Sequence, residues 1–223
     1  MQSYREIWES FTANRVLEFG GHRDPNWSAG HKISASFVIP VDVSRFEERL
    51  RPAREDLALE PYVSLHPDHF MHITLLILGF LTPEPEVENE VSNETLSRLG
   101  DEAEQALRDF SPFTVELANL NAFPGAIFVE VYEGGEISRL QDAICSGCGL
   151  KRPAGPPHLT LAYLQAPDDT PAPETLIPAI ERYRDWPIGA LRIERAELTL
   201  LDVRADYPEP QTLREIPLAG DRR

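Results

Sequence analysis

The sequence predicts an α+β protein of largely antiparallel sheets arranged as two similar lobes. Three observations lead there. Strand-like and helix-like segments are mixed irregularly along the chain, without the steady strand–helix alternation of a parallel sheet. A short unit recurs, His72-Ile-Thr-Leu-Leu and His158-Leu-Thr-Leu-Ala, each opening an apolar strand and each followed by a helical pattern. The length, 223 residues, suits one large domain or two small lobes sharing a core.

The elements follow in order. The first thirty or so residues read as irregular, punctuated by Gly20-Gly21, Asp24-Pro25 and Gly30. Ile33 to Pro40 is apolar and β-rich, a buried strand, and Ser44 to Arg51 is a short helix that Pro52 ends. His72 to Gly79 is a strand closed by its glycine, and the Pro- and Glu-rich stretch Thr82 to Glu90 is a solvated loop. Leu96, Leu99, Ala103, Leu107 and Phe110 recur at helical spacing, which predicts a helix over Asn93 to Phe110. Phe113 to Leu120 alternates as a strand does, Asn121 to Gly125 turns, and Ala126 to Tyr132 returns as a second strand. Gly134-Gly135 opens a helix with Ile137, Leu140 and Ile144 on one face. Lys151 to Pro157 is a Pro- and Gly-rich loop before the strand His158 to Leu164. Glu174 to Arg184 is a helix confined by Pro178, and Leu191 to Val203 and Gln211 to Leu218 are closing strands. Residues 1–32 are thus an N-terminal extension, and residues 33–223 form one bilobal domain.

Composition narrows the function. Hydrophobic residues at 42% and charged residues at 26% are ordinary for a globular chain. No stretch reaches the length of an apolar membrane span, and the N-terminus lacks the apolar region of a secretory signal, so the expected location is cytoplasmic, with no membrane partner. The net charge is −16, from 37 acidic against 21 basic residues. An extended nucleic acid needs many cations to displace its counterions, so extended nucleic acid is not an expected partner. A single phosphate in a local basic pocket remains compatible with that charge.

The repeated motif carries the chemistry. Residues two apart on a strand share a face, so His72 and Thr74 point one way, as do His158 and Thr160, while Ile73 and Leu159 turn toward the core. Two such strands side by side bring two imidazoles and two hydroxyls to one face. That set suits a phosphodiester. A neutral imidazole accepts a proton from the nucleophile, an imidazolium donates one to the leaving oxygen, and the hydroxyls bond the non-bridging oxygens. An unperturbed histidine pKa of about 6.5 allows both forms near neutrality, and no metal or other cofactor is required.

In these motifs the sequence resembles the 2H phosphoesterase superfamily, in particular the group of 2'-5' RNA ligase-like proteins and RNA 2',3'-cyclic phosphodiesterases. HITLLILGF resembles the first motif with its closing Leu78-Gly79, and PHLTLAYL the second with Pro157 before the histidine. FTVELANLNAFPGAIFVEV resembles the strand–turn–strand between the motifs, and LRIERAELTLLDV with LREIPL the closing strands. Over residues 33–218 the resemblance implies a bilobal fold with both His-x-Thr pairs in a central cleft. It also implies hydrolysis of 2',3'-cyclic phosphates, usually to a 2'-phosphate, with joining or splitting of 2'-5' linkages in some members. His72, Thr74, His158 and Thr160 inherit the catalytic and phosphate-binding roles; which histidine is base and which is acid stays open, with His158 as base and His72 as acid the preferred order for hydrolysis. The expected partner is a nucleotide or a short RNA end with a 2',3'-cyclic phosphate, and the expected state is a monomer. A binding module that recognises terminal phosphates through the same cleft is the alternative.

Other residues offer two readings each. Phe123 and Tyr163 suit stacking on a base or plain packing. Lys151 and Arg152 suit attraction of a phosphate or a solvated loop. His66, His69 and His72 form H-x-x-H-x-x-H, but Pro67 argues against the helix such a metal site would use. Cys145 and Cys148 form a lone C-x-x-C, read as reduced thiols rather than as a redox or zinc site. His22 and His31 have no evident partner and read as surface residues.

Overall fold

A computed structural model describes residues 3–220, so the outermost residues of the two expected units, 1–2 and 221–223, lie outside the described residues. Its elements are α1 (Tyr4–Asn14), β1 (Val16–Phe19), α2 (Pro25–Ser28), β2 (Ile33–Pro40), α3 (Glu47–Leu57), β3 (Val63–Leu65), β4 (His72–Leu81), β5 (Glu90–Val91), α4 (Asn93–Leu107), β6 (Phe113–Phe123), β7 (Ala126–Tyr132), α5 (Glu136–Cys148), β8 (His158–Pro171), α6 (Leu176–Glu181), β9 (Pro187–Ile193), β10 (Arg195–Asp202) and β11 (Gln211–Pro217).

One hydrogen-bonded path runs β11-β10-β2-β4-β8-β7-β6-β9, and every pairing along it is antiparallel. Four strands lie on each side of the β4–β8 junction, so the path divides into two lobes around the two strands that carry the repeated motif. At the junction the register is Ile73 opposite Leu159. Both side chains are fully buried. Helices α4 and α5 pack on each other and against β11 and β4 of the first lobe, and Gln141 on α5 donates to the Leu75 carbonyl at 3.0 Å. Helices α3 and α6 pack together against β9 and β6 of the second. The α+β, two-lobed, largely antiparallel architecture is the one expected.

Four local readings are corrected. The N-terminal segment is not irregular. Ser3 and Glu6 form a reciprocal capping box, and Ile7 and Phe11, four apart, are buried beneath α1. Pro52 does not end a helix but lies inside α3, where the buried face Leu50, Ala53 and Leu57 outweighs one missing backbone hydrogen bond. Gly79 does not close β4. Its φ of 129° and its bare Cα let the backbone of Asn89 come close, since a Cβ there would sit 2.4 Å from the Asn89 oxygen, and the strand continues to Leu81. The stretch Leu191 to Val203 is two strands. It breaks at Glu194, with β9 pairing β6 in one lobe and β10 pairing β2 and β11 in the other. Both halves are apolar on their buried faces, so hydrophobic pattern alone runs through the break.

Candidate active site

His72 opens β4 and His158 opens β8. With Ile73 opposite Leu159 in an antiparallel pair, His72 lies across from Thr160 and Thr74 across from His158, all on one face. The two histidines are held alike. Nδ1 of His72 bonds the Phe70 carbonyl at 2.8 Å, and Nδ1 of His158 bonds the Pro156 carbonyl at 3.1 Å. A carbonyl can only accept, so Nδ1 carries the proton in each ring and Nε2 is the basic nitrogen of the neutral form. Each ring is thus oriented by the residue two positions before it, in a chain that is about to enter a strand.

Burial pushes both imidazoles below the usual histidine pKa, against the opposite pull of the carbonyl each one bonds. His72 is lowered further by the charges of His158 and His22. Both rings are therefore poised neutral in the absence of an anion. Around His158 the neighbours are aromatic. Phe123 meets it edge-on with ring centres 5.3 Å apart, and Phe128 lies at 5.1 Å.

A cavity of about 640 Å³ opens beside His72 and Thr74. Its floor is the face of the first lobe, with Ser36 and Val38 on β2 and Glu197 and Thr199 on β10. One wall comes from the N-terminal segment, with His22 and Trp27, and another from Glu209 and Pro210. Glu197 is held by Arg195 at 2.7 Å and by the Thr212 hydroxyl at 3.0 Å. Asp24, Glu197, Glu209 and Glu215 line the cavity with Arg195, which leaves its charge balance negative. Trp27, Arg195 and Glu197 escaped the sequence reading because they come from segments far from the motifs. Strand pairing brings Arg195 and Glu197 to this face, and packing on Phe80 brings Trp27 there from α2.

The other expected site residues scatter. Tyr163 lines the cavity and stacks on Tyr207 at 6.1 Å. Phe123 stacks on Phe128 at 4.5 Å, beside His158 but outside the cavity lining. Lys151 is 95% exposed and stands 3.8 Å from Glu88, while Arg152 pairs with Asp142 at 3.0 Å. Both belong to the loop before β8 and do not line the cavity. His22 and His31 are not free surface residues. His22 is buried, with Nε2 on the Ala205 carbonyl at 2.9 Å, and His31 bonds Glu90 at 2.7 Å and stacks on Phe80.

The H-x-x-H-x-x-H residues separate. His66 is buried among Phe70, Tyr163 and Tyr207, and His69 bonds the Tyr207 carbonyl at 2.8 Å. Among the described residues no three His, Cys, Asp or Glu side chains gather as a metal-binding group. Cys145 and Cys148 are buried free thiols, and burial raises both, Cys148 to about 11, so neither is an activated thiolate.

Solved structures share this fold. The TT0787 protein of Thermus thermophilus superimposes with a TM-score of 0.61 over 85% of this chain and 100% of its own, at 21% identity. LigT of E. coli in complex with 3'-AMP superimposes with a TM-score of 0.59 over 85% of this chain and 98% of its own, at 16% identity. A phosphoesterase structure matches with a TM-score of 0.60 over 83% of this chain and 98% of its own, at 17% identity. No curated protein matches the chain in sequence. The family model described as the 2'-5' RNA ligase superfamily matches residues 40–204, a span that takes in both His-x-Thr strands. The chain therefore belongs to the 2'-5' RNA ligase superfamily, within the 2H phosphoesterases.

Proposed function

We propose that the protein is a phosphodiesterase that hydrolyses 2',3'-cyclic phosphates on nucleotides or short RNA ends by paired-histidine acid–base catalysis. The observation that carries this reading is the matched anchoring of His72 and His158. Each Nδ1 is tied to a carbonyl two residues back, on two strands that meet at Ile73 and Leu159. Nε2 of His158 takes a proton from water as its oxygen bonds to phosphorus. Nε2 of His72, protonated, gives a proton to the ribose oxygen as the ring P–O bond breaks. The Thr74 and Thr160 hydroxyls donate to the non-bridging oxygens, whose charge grows in the transition state. Imidazolium and hydroxyls supply the polarisation, so the mechanism calls on no metal.

Crystal structures of E. coli LigT with 3'-AMP, ATP and NADP+ support a nucleotide as the ligand class. The cavity's carboxylates favour a substrate with a single phosphate near the histidines. In this reading residues 33–223 are the catalytic domain, residues 1–32 an extension, and the protein acts as a monomer in the cytoplasm. Among the described residues no helix is long and apolar enough to cross a membrane.

The test is turnover of the four nucleoside 2',3'-cyclic monophosphates in EDTA, with His72→Ala and His158→Ala beside the parent. Each substitution should lower kcat/KM by at least about 100-fold. Binding without turnover in the parent would assign the cleft to recognition instead of catalysis. Loss of activity in EDTA with recovery on adding zinc would overturn the paired-histidine mechanism.

A further inference from the structure

The two lobes present equivalent faces to the reacting phosphate, yet only one of them is open. In the first lobe, Val38 lies opposite Thr74 and Glu197 opposite Val38. In the second, Phe128 lies opposite Thr160 and Asn121 opposite Phe128. The first face floors the cavity, with Val38, Thr74 and Glu197 all lining it. The second is covered by Phe123, stacked on Phe128 at 4.5 Å, and beyond it by α1. The Tyr4 ring packs on Phe128 at 6.3 Å and on Tyr132 at 5.5 Å, and Asn121 donates to the Tyr4 carbonyl at 2.8 Å. The Tyr4 hydroxyl accepts from the Val131 N–H at 3.0 Å and reaches the carbonyl of Pro157, the residue just before His158.

This cover is built in, not draped. Ile7 and Phe11 are each only 3% exposed. Trp8 lies under the Arg184 guanidinium at 5.0 Å, and Arg184 in turn pairs with the fully buried Glu130. Beyond the helix, β1 pairs with the far part of β8, and the chain then crosses the β6–β7 turn at Gly20. A Cβ at Gly20 would lie 1.6 Å from the Gly125 oxygen, so the crossing has no room for a side chain.

A phosphodiester has two ester arms. An internal linkage hangs a nucleoside on each, so a phosphate between the two histidines would need space over both lobes. A 2',3'-cyclic phosphate attaches both ester oxygens to one ribose and needs space over one. We propose that α1 makes the cleft one-sided and so confines the enzyme to terminal cyclic phosphates, against internal 2'-5' linkages and against their formation by ligation. Tyr4, whose hydroxyl reaches the Pro157 carbonyl beside His158, is the specificity-determining residue of α1. This inference rests on the phosphodiesterase reading and assigns its substrate class.

The full-length protein is assayed with 2',3'-cyclic AMP and with 2'-5'-linked diadenosine monophosphate, and binding of 2'-AMP and of the same dinucleotide is measured by calorimetry. The parent should favour the cyclic substrate by at least about 100-fold in kcat/KM. Ile7→Asp, which sets a charge in the buried seam and undocks α1, should shrink that preference at least about tenfold, with Tyr4→Ala in the same direction to a smaller extent. Dinucleotide binding should tighten in both variants while 2'-AMP binding holds. Should Ile7→Asp not fold, Tyr4→Ala decides the matter, since the ring strain of a cyclic phosphate by itself favours that substrate in the parent. A parent that cleaves the dinucleotide as readily as the cyclic phosphate overturns the inference, and so does a folded variant with an unchanged preference. Absence of all turnover would sink the phosphodiesterase reading instead, and the two binding constants would still decide whether the cleft is one-sided.

Discussion

His72 and His158 have to differ in protonation for the proposed reaction, although burial lowers both and the charges of His158 and His22 act on His72 in the same direction. In the free protein the state with one neutral and one charged ring is therefore most populated below the ordinary histidine pKa of about 6.5. An anionic phosphate between the rings favours the imidazolium and lifts the acid. The profile of kcat/KM, which reports the free enzyme, should thus be a bell with its maximum below about pH 6.5. The profile of kcat, which reports the complex, should extend to higher pH. A kcat/KM that still climbs above about pH 8 would contradict the assignment of both roles to these rings. The four motif residues were legible because a strand displays alternate side chains on one face and the pattern occurs twice. The carbonyls of Phe70 and Pro156 were not, since any residue supplies a carbonyl and only the turn into each strand aims it.

Element boundaries followed the sequence where one face meets the core and failed where a partner element decides. The apolar stripe of α4 and the alternation of β6 and β7 follow from spacing, although β6 runs through Phe123, into the stretch Asn121 to Gly125 expected to turn, because its end pairs with the start of β7. Helix α1 was overlooked although its Ser3-x-x-Glu6 capping signature is present, because Ile7 and Phe11 make a thin stripe that matters only once lobe two lies beneath it. Beside that apolar seam lies a buried polar network centred on Glu130. Glu130, 0% exposed, accepts from Asn121 at 2.6 Å and Asn119 at 3.1 Å, takes the Tyr132 hydroxyl, and pairs with Arg184 at 2.5 Å. Removing one partner of a buried ion pair strands the other. Glu130→Ala should therefore cost about 3–5 kcal/mol in urea unfolding, whereas Glu130→Gln, which can still accept from the amides, should cost clearly less. A loss under about 1 kcal/mol for the alanine variant would mean that the network contributes little to the docking surface of α1.

The whole molecule carries a built-in sensitivity to acid. His66 is 3% exposed, and burial pushes its imidazole down to about 3, with the positive charges of His72, His22 and Arg54 acting in the same direction. The unfolded chain binds that proton at about pH 6.5 and the folded one does not, so stability is full above that pH and falls as the pH drops from about 6.5 toward 3. His22, His72 and His158 are lowered too and add to the same trend. Between pH 7 and pH 4.5 the parent should lose about 2–3 kcal/mol at His66 alone, read from urea midpoints, and His66→Phe, which keeps a ring among Phe70, Tyr163 and Tyr207, should lose correspondingly less. Identical slopes for the two proteins would remove His66 from the account. The sequence by itself determined the fold class, the two-lobed repeat, the four residues of the motifs and the family, because each is written in local periodicity and in a pattern repeated along one chain. Only the tertiary structure decided which face of which lobe is open, since that depends on α1 folding back over β6 and β7, more than a hundred residues away, and on Trp27 packing on Phe80 of β4, and long-range packing of this kind leaves no period in the sequence.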